Sequence, residues 1–495
     1  MDINKTIEKF MELEKKETAL TNALSLMYWD GVTGAPKKGA ELRAFSSGII
    51  SGEIFQIINC NKIKKYSDLI ISNRQSVDDV VYYSALDIKN EQKKLEKISK
   101  KDYSEFAEIC SKAELIWEEA KEENSYKKFK PYFEKIVEMQ KKFIKQRGYT
   151  SHPYDTLLDD YEQGITVAEL DKFFEKLKAG IIPIVKSISS KNRKKFIWKN
   201  RRVPVEVQKK FNTVLLEHIG YDFNSGMFAE SEHPFTIGFG PSDVRITTHY
   251  YEENFISAIF STIHEAGHAI YEQNVDKKYE GTRVATGVSM GVHESQSRLF
   301  ENIFGRSREF WEPLFQTMID YYGSYIGEVD FNEFIDAVNQ PEFSKIRTEA
   351  DELTYTLHII IRYEIEKGIF DGSIDIEKIE EVWNKKTKEY LGIETNSAAE
   401  GVLQDSHWAG GLFGYFPSYA IGNCYSAQIA KKLNRIIDLK KELKTGNFIL
   451  INKILKENIH KYGKAITPKQ LMKNFIGEEI NPDDYIDYLE KKFLK

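Results

Sequence analysis

His264-Glu265-Ala266-Gly267-His268 is the segment on which the fold and the chemistry of this chain turn. Apolar residues bracket it: Phe255, Ile259, Phe260 and Ile263 come before, Ile270 and Tyr271 after. Their three-and-four spacing predicts a helix. Residues four apart on a helix lie on one face, one turn apart. Both imidazoles can then bind one ion, and Glu265, beside the first, can reach a water next to it. This is the H-E-x-x-H pattern. The bland alternative is a helix that happens to carry two surface histidines. The third ligand discriminates between the two, because catalytic zinc usually takes three protein ligands and keeps a fourth position open.

A metzincin would place a glycine three residues and a histidine six residues beyond His268. Tyr271 and Asn274 stand there, which excludes that class. The next candidate segment is His293-Glu294-Ser295-Gln296-Ser297, whose spacing lets a second helix return across the first. Glu294 is favoured, since two histidines and a glutamate are an established catalytic set. His293 and Glu272 remain alternatives.

Composition sets the surroundings. The chain has 495 residues, 41% hydrophobic and 29% charged, with a formal net charge of -6. That is the make-up of a soluble globular protein long enough to bury a large core. It argues against nucleic acid as a partner, which needs a basic surface. Cys60, Cys110 and Cys424 are odd in number and far apart, so they predict free thiols in a reducing compartment. No signal peptide is visible at the N-terminus, and no apolar run approaches the ~18 residues of a membrane span. A cytoplasmic protein without a membrane partner is the expectation.

Amphipathic helices are predicted over roughly 4–27, 38–59, 76–146, 167–188, 205–219, 253–273, 293–304, 330–338, 345–368, 375–391, 422–445 and 447–461. In 76–146, Pro131 is the one interruption. Thr166-Val-Ala-Glu169 and Ser76-Val-Asp-Asp79 read as capping signals. Val244–Tyr250 is the best strand, and 284–292 reads as a glycine-interrupted edge strand. The picture is a single mostly helical domain, 1–495, with a small sheet near its centre. Residues about 1–150 are a candidate N-terminal subdomain or lid.

Three other motifs compete for attention. Gly287-Val-Ser289-Met-Gly291 matches the serine-hydrolase elbow, but the β-α alternation that elbow needs is missing. Its glycines suit the approach of a backbone edge to a peptide instead. Gly401-Val-Leu-Gln404-Asp405-Ser-His407-Trp408 and the aromatic run to Tyr419 supply hydrogen-bonding groups; such a His and Tyr serve either structure or oxyanion stabilisation. Arg347, on the predicted helix 345–368, lies on a solvated face or binds a carboxylate bidentately.

Taken in order, His233-Pro234-Phe235, Asp243-Val-Arg245-Ile-Thr247, His264–His268, His293–Ser297, Ile346–Asp351 and Gly401–Trp408 resemble the Taq-carboxypeptidase-type thermostable metallocarboxypeptidase family. Tyr28-Trp29-Asp30, Gly39–Ala44 and Tyr154–Asp159 are similar to it as well, so the likeness runs over about 28–425. Gly34-Ala35 and Gln163-Gly164 depart from its pattern at loops, where methionine and Pro-Gly are expected. The resemblance implies a helical zincin, neurolysin-like, with a small β-sheet beside a deep substrate groove. It implies His264, His268 and Glu294 as ligands of zinc, which cobalt can replace, and Glu265 as general base and acid. It implies a homodimer that removes C-terminal residues from peptide substrates with broad specificity and acts poorly on terminal proline. Helical zincins pair a His and a Tyr at a similar separation, which assigns His407 and Tyr419 to the oxyanion. Arg347, then Gln404 and Arg245, are the candidates for holding the substrate carboxylate.

Overall fold

Long amphipathic helices carry most of the chain. In the computed structural model, which describes residues 2–189 and 193–494, they run from Ile3–Thr33 to Asp483–Phe493. The stripe Phe129, Phe133, Ile136, Val137, Gln140 and Phe143 on Tyr126–Arg147 is buried throughout, which is the three-and-four pattern meeting a core. The mostly helical architecture expected from the sequence is the one observed.

Element boundaries differ where side chains compete with the backbone period. Segment 76–146 is three helices: Asp79–Leu95, Lys100–Glu122 and Tyr126–Arg147. The first break ends at Ser99, whose side chain accepts from the Asp102 N–H. The second contains Asn124 at φ 54°, and Pro131 lies inside the third helix. Ser76 closes a short turn instead of capping; Asp78, next to the first helical residue, accepts from the Val80 N–H. The Thr166–Glu169 box forms as read, with Thr166 N–H donating to Glu169 Oε2 at 2.9 Å and Glu169 N–H to Thr166 Oγ1 at 3.3 Å. Residues 284–292 make no strand. Ser289 accepts from the Val292 N–H and starts the helix Met290–Arg298.

The sheet has three short strands, β1 Gly226–Glu230, β2 Thr236–Gly238 and β3 Val244–Thr248, in the order β1-β3-β2. β3 pairs parallel with β1 and antiparallel with β2. The Asp243–Thr247 motif therefore builds the central strand, not an edge; its Val244, Ile246 and Thr247 are buried.

Phe10, Ile57, Ile63, Tyr66, Ile70, Val77, Val81, Ala85 and Ile88 form a separate core among the first four long helices, whereas Ile109 to Ile144 belong to the main core. Arg283 ties the two together. Its guanidinium pairs with Glu17 at 2.8 Å, Asp87 at 2.9 Å and Glu91. Among the described residues, no helix is long and apolar enough to cross a membrane.

Candidate active site

The helix Phe255–Gln273 presents His264, Glu265 and His268, and most of its remaining surface is buried. What brings Glu294 to them is the absence of a side chain at Gly267. A Cβ there would stand 2.7 Å from Gln296 O and Ser297 Cα, so only glycine lets the helix Met290–Arg298 lie against this one. Glu294 Oε2 then sits 3.6 Å from His268 Nε2 and 4.0 Å from His264 Nε2. The three ligand atoms all lie within 4.8 Å of one another. Two ligands ~2.0–2.1 Å from a tetrahedral ion stand roughly 3.3–3.4 Å apart, so this set can close on a divalent ion once both histidine–glutamate separations shorten, the longer one by roughly 0.6 Å. Two imidazole nitrogens and one carboxylate are also a suitable donor set, with one position open.

Each of these three side chains is held from behind. His264 Nδ1 meets Glu301 Oε2 at 2.8 Å, and His268 Nδ1 meets His293 Nδ1 at 2.5 Å. Arg298 Nε donates to the other oxygen of Glu294 at 2.6 Å. Burial opposes charge on Glu294, but Arg298 and the two imidazoles outweigh it and hold the carboxyl well below the usual range. Glu301 is likewise pushed down to about 2 against its burial, by Arg298 and His264. Burial pushes His268 down to about 3, the neutral form a metal ligand needs. His264 is burdened by burial too, yet the Glu301 bond and the Glu294 charge raise it above its ordinary value.

Glu265 is buried beside this set, and its Oε2 accepts from Thr236 Oγ1 of β2 at 2.6 Å. Burial raises its pKa, partly offset by His264 and Thr236. A carboxyl shifted upward is a better proton acceptor.

The segment 401–419 gathers the remaining groups. His407 Nε2 lies 3.3 Å from Tyr419 Oη. Burial, with Arg347 and Arg362 nearby, pushes His407 down to about 4, and burial raises the Tyr419 phenol well above its ordinary value. Both are therefore neutral near pH 7. Arg347 lies on the short turn Arg347–Glu349, not on a helix as expected. Asp351 takes the N–H groups of Leu353 and Thr354 and starts the helix at Glu352. The Arg347 side chain is buried, neither solvated nor on a helix face. Its Nε donates to Asp405 Oδ1 at 2.8 Å and its Nη1 to Tyr355 Oη at 2.8 Å, and it lies 5.1 Å from the Tyr419 ring centroid. Gln404 accepts from the Arg347 N–H at 3.0 Å and from Arg362 Nη2 at 2.9 Å, and donates to Lys345 O at 2.9 Å. Arg362 Nε holds the other Asp405 oxygen at 2.7 Å.

Arg298 joins the two halves, since the guanidinium that grips Glu294 also lies 4.3 Å from the Tyr355 ring centroid. Arg245 stands apart from this cluster. It is paired with Asp243 at 2.9 and 2.7 Å and packed on Phe239 and Trp29. The glycines of 287–291 serve packing: a Cβ at 287 would meet His293 and Tyr271, and one at 291 would meet Glu162. They offer no edge to a peptide, and Ser289 is a helix cap. A cavity of about 790 Å³ between Asp79–Leu95 and the 147–167 segment reaches this region only at Val288 and Ser289, and no ligand residue lines it.

Glu301, Arg298, Arg362, Tyr355 and Thr236 are functional neighbours that the sequence reading passed over. Glu294, Arg298 and Glu301 are spaced i, i+4, i+7, a helical face that was there to be read. Thr236 sits in a three-residue strand with no period to find.

Comparison with known proteins agrees with this geometry. The chain matches the family described as Carboxypeptidase Taq (M32) metallopeptidase over residues 9–493. It is 43% identical to carboxypeptidase 1 of Bacillus subtilis over 497 residues, 100% of this chain and 99% of that one. It is 36% identical to thermostable carboxypeptidase 1 of Thermus thermophilus, covering 98% of each. The crystal structure of an M32 carboxypeptidase from Deinococcus radiodurans superposes with a TM-score of 0.95 at 30% identity, covering 99% of both chains. A part-buried cluster of two histidines and a glutamate able to hold a metal ion and a full-length likeness lead to the same place: the chain belongs to the carboxypeptidase Taq (M32) metallopeptidases and is a metallocarboxypeptidase.

Proposed function

We propose that this enzyme releases amino acids one at a time from the C-termini of peptides, with broad side-chain specificity, using zinc held by His264, His268 and Glu294. Cobalt is the natural substitute, since it accepts the same nitrogen and oxygen donors. The ion, when bound, polarises the scissile carbonyl and lowers the pKa of a neighbouring water. Thr236 occupies Oε2 of Glu265, so Oε1 is the oxygen left to take the water proton and pass it to the leaving amine. Tyr419 and neutral His407 donate to the oxyanion.

The observation that carries the exopeptidase reading is the charge balance beside Tyr419. Two buried arginines, Arg347 and Arg362, share one aspartate, Asp405. That leaves a net positive charge to receive the substrate carboxylate, with Arg347 nearer the Tyr419 ring. Gln404 and Asp405 position Arg347. Arg245, bound to Asp243, shapes the sheet. A terminal proline has no scissile N–H and a fixed φ, which supports poor cleavage there.

Exposed Leu26, Tyr28, Val32, Leu42, Phe45 and Ile49 on the first two helices support a homodimer, and three unpaired cysteines support a cytoplasmic setting. The separate core of the first four long helices supports their acting as a lid.

The test follows peptide products by mass spectrometry over time, for a free-acid peptide and its C-terminally amidated twin. Stepwise loss from the free acid alone is expected. Equal cleavage of both, or internal cuts, would replace the exopeptidase reading with an endopeptidase one.

A further inference from the structure

The ring of His268 leads from the metal position into the protein interior. His268 Nδ1 is 2.5 Å from His293 Nδ1, and His293 Nε2 is 2.7 Å from Glu272 Oε1. Glu272 is buried, and the same Oε1 accepts from Thr286 Oγ1 at 2.8 Å and the Gly287 N–H at 2.9 Å. Tyr271 closes the other side of His293, with ring centroids 5.1 Å apart. A Cβ on Gly287 would stand 2.6 Å from His293 Cδ2. His293 is thus clamped between a loop, an aromatic ring and a carboxylate.

The protons along this row follow from the chemistry of its two ends. A neutral imidazole that gives its Nε2 lone pair to an ion carries its one proton on Nδ1. Two ring nitrogens at hydrogen-bond distance share one proton, so His293 Nδ1 must accept it. His293 then keeps its own proton on Nε2, which points at Glu272. The other end requires the same order, because a carboxylate only accepts. The reverse order would put a proton on His268 Nε2 and block the ligand lone pair.

We infer that His293 and Glu272 are positioning residues that fix the tautomer and ring orientation of His268. The inference rests on His268 being a metal ligand. His264 reaches the same end directly through Glu301, whereas His268 does so through an intervening imidazole. The two residues that sequence spacing offers as rival third ligands therefore have a different task.

The experiment titrates the metal-free full-length protein with zinc against a chromophoric chelator and records its unfolding midpoint. His293→Phe keeps the ring packing on Tyr271 but removes the acceptor. Its zinc affinity should fall about 10–100-fold, the usual consequence of losing such a partner. Its metal-free midpoint should stay near that of the wild type. His293→Gln, whose carbonyl can accept, should recover most of the loss. Should the phenylalanine variant not fold, Glu272→Leu, which removes the acceptor of the His293 Nε2 proton, serves, with an expected fall of at least about fivefold. Zinc affinity within about twofold of wild type in the phenylalanine variant, or in the Glu272 variant if that one is used, would overturn the inference, against the larger losses typical of such partners. A lowered metal-free midpoint with unchanged zinc affinity would overturn it too and make His293 purely structural. Absence of zinc binding by the wild-type protein is a separate result, which would remove the metal reading and this inference with it.

Discussion

Gly422 has no room for a side chain because Glu294 fills it: a Cβ at 422 would stand 2.6 Å from Glu294 Cγ. The helix bearing Glu294 is therefore wedged between two helices that each give up a side chain, at Gly422 on one and Gly267 on the other. The position of Glu294 depends on helix packing as much as on its hydrogen bonds.

Gly422→Ala should accordingly cost about 1–3 kcal/mol in unfolding free energy, the usual range for overpacking a core. It should weaken zinc binding as well, because the displaced atoms belong to the ligand. Gly267→Ala should be harsher, since its added carbon meets backbone that cannot rotate away. Urea unfolding with zinc titration checks both. Wild-type zinc affinity in Gly422→Ala would show that Glu294 is held by its polar partners alone.

Among the described residues, Asp405 is the only anion that Arg347 and Arg362 share. Asp405→Asn leaves two buried guanidinium groups facing each other, so a loss of about 3–5 kcal/mol is expected, as for removing one partner of a buried ion pair. In the fraction that folds, KM should rise more than kcat, because Arg347 loses its anchor. A kcat effect with KM unchanged would argue against carboxylate capture by Arg347.

The pH dependence of metal binding follows from the two histidines. A proton on a ligand nitrogen competes with the ion. His264 is raised above 6.5, because the Glu301 bond and the Glu294 charge outweigh burial, so it protonates first as pH falls. His268, pushed down to about 3 by burial, stays neutral. Zinc affinity of the metal-free protein should thus rise about tenfold per pH unit up to the His264 value and level off above it, the slope of one displaced proton. Chelator-buffered titrations across this range measure the slope. A slope of two would mean that both imidazoles compete.

Tyr419→Phe removes one hydroxyl beside His407. A fall of about 10²–10³ in kcat with KM little changed is expected for loss of an oxyanion donor. Steady-state kinetics on one peptide measures it, and an unchanged kcat would take Tyr419 out of that role.

Much of the site was legible because it is local. His264, Glu265 and His268 fall within five residues of one helix, and the helical run after His293 carries Glu294, Arg298 and Glu301. The parts that depend on tertiary contact were not. Residues 284–292 alternate like a strand, yet Glu272 and Tyr271 draw the loop inward through the Gly287 and Val288 N–H groups. Arg347 reads as helical because no proline or glycine stands between Lys345 and Glu352, but Asp351 caps the helix four residues later. β1 (Gly-Met-Phe-Ala-Glu) lacks the β-branched alternation that marks β3, and β2 has only three residues, yet β2 is the strand that supplies Thr236 to Glu265. Capping, burial and partner choice are decided by what the chain meets after folding, and spacing alone does not carry them.

In the proposed chemistry His264, His268 and Glu294 hold the metal while Glu265 moves the proton. Glu265→Gln separates these roles, because it keeps the shape of the side chain and leaves every ligand in place. Metal content by elemental analysis and peptide turnover, measured on the same preparation, test it most directly. One zinc per chain and a loss of turnover of about 10²–10⁴ are expected, the contribution of a positioned acid–base group. A variant that binds zinc and turns over like the wild type would contradict it.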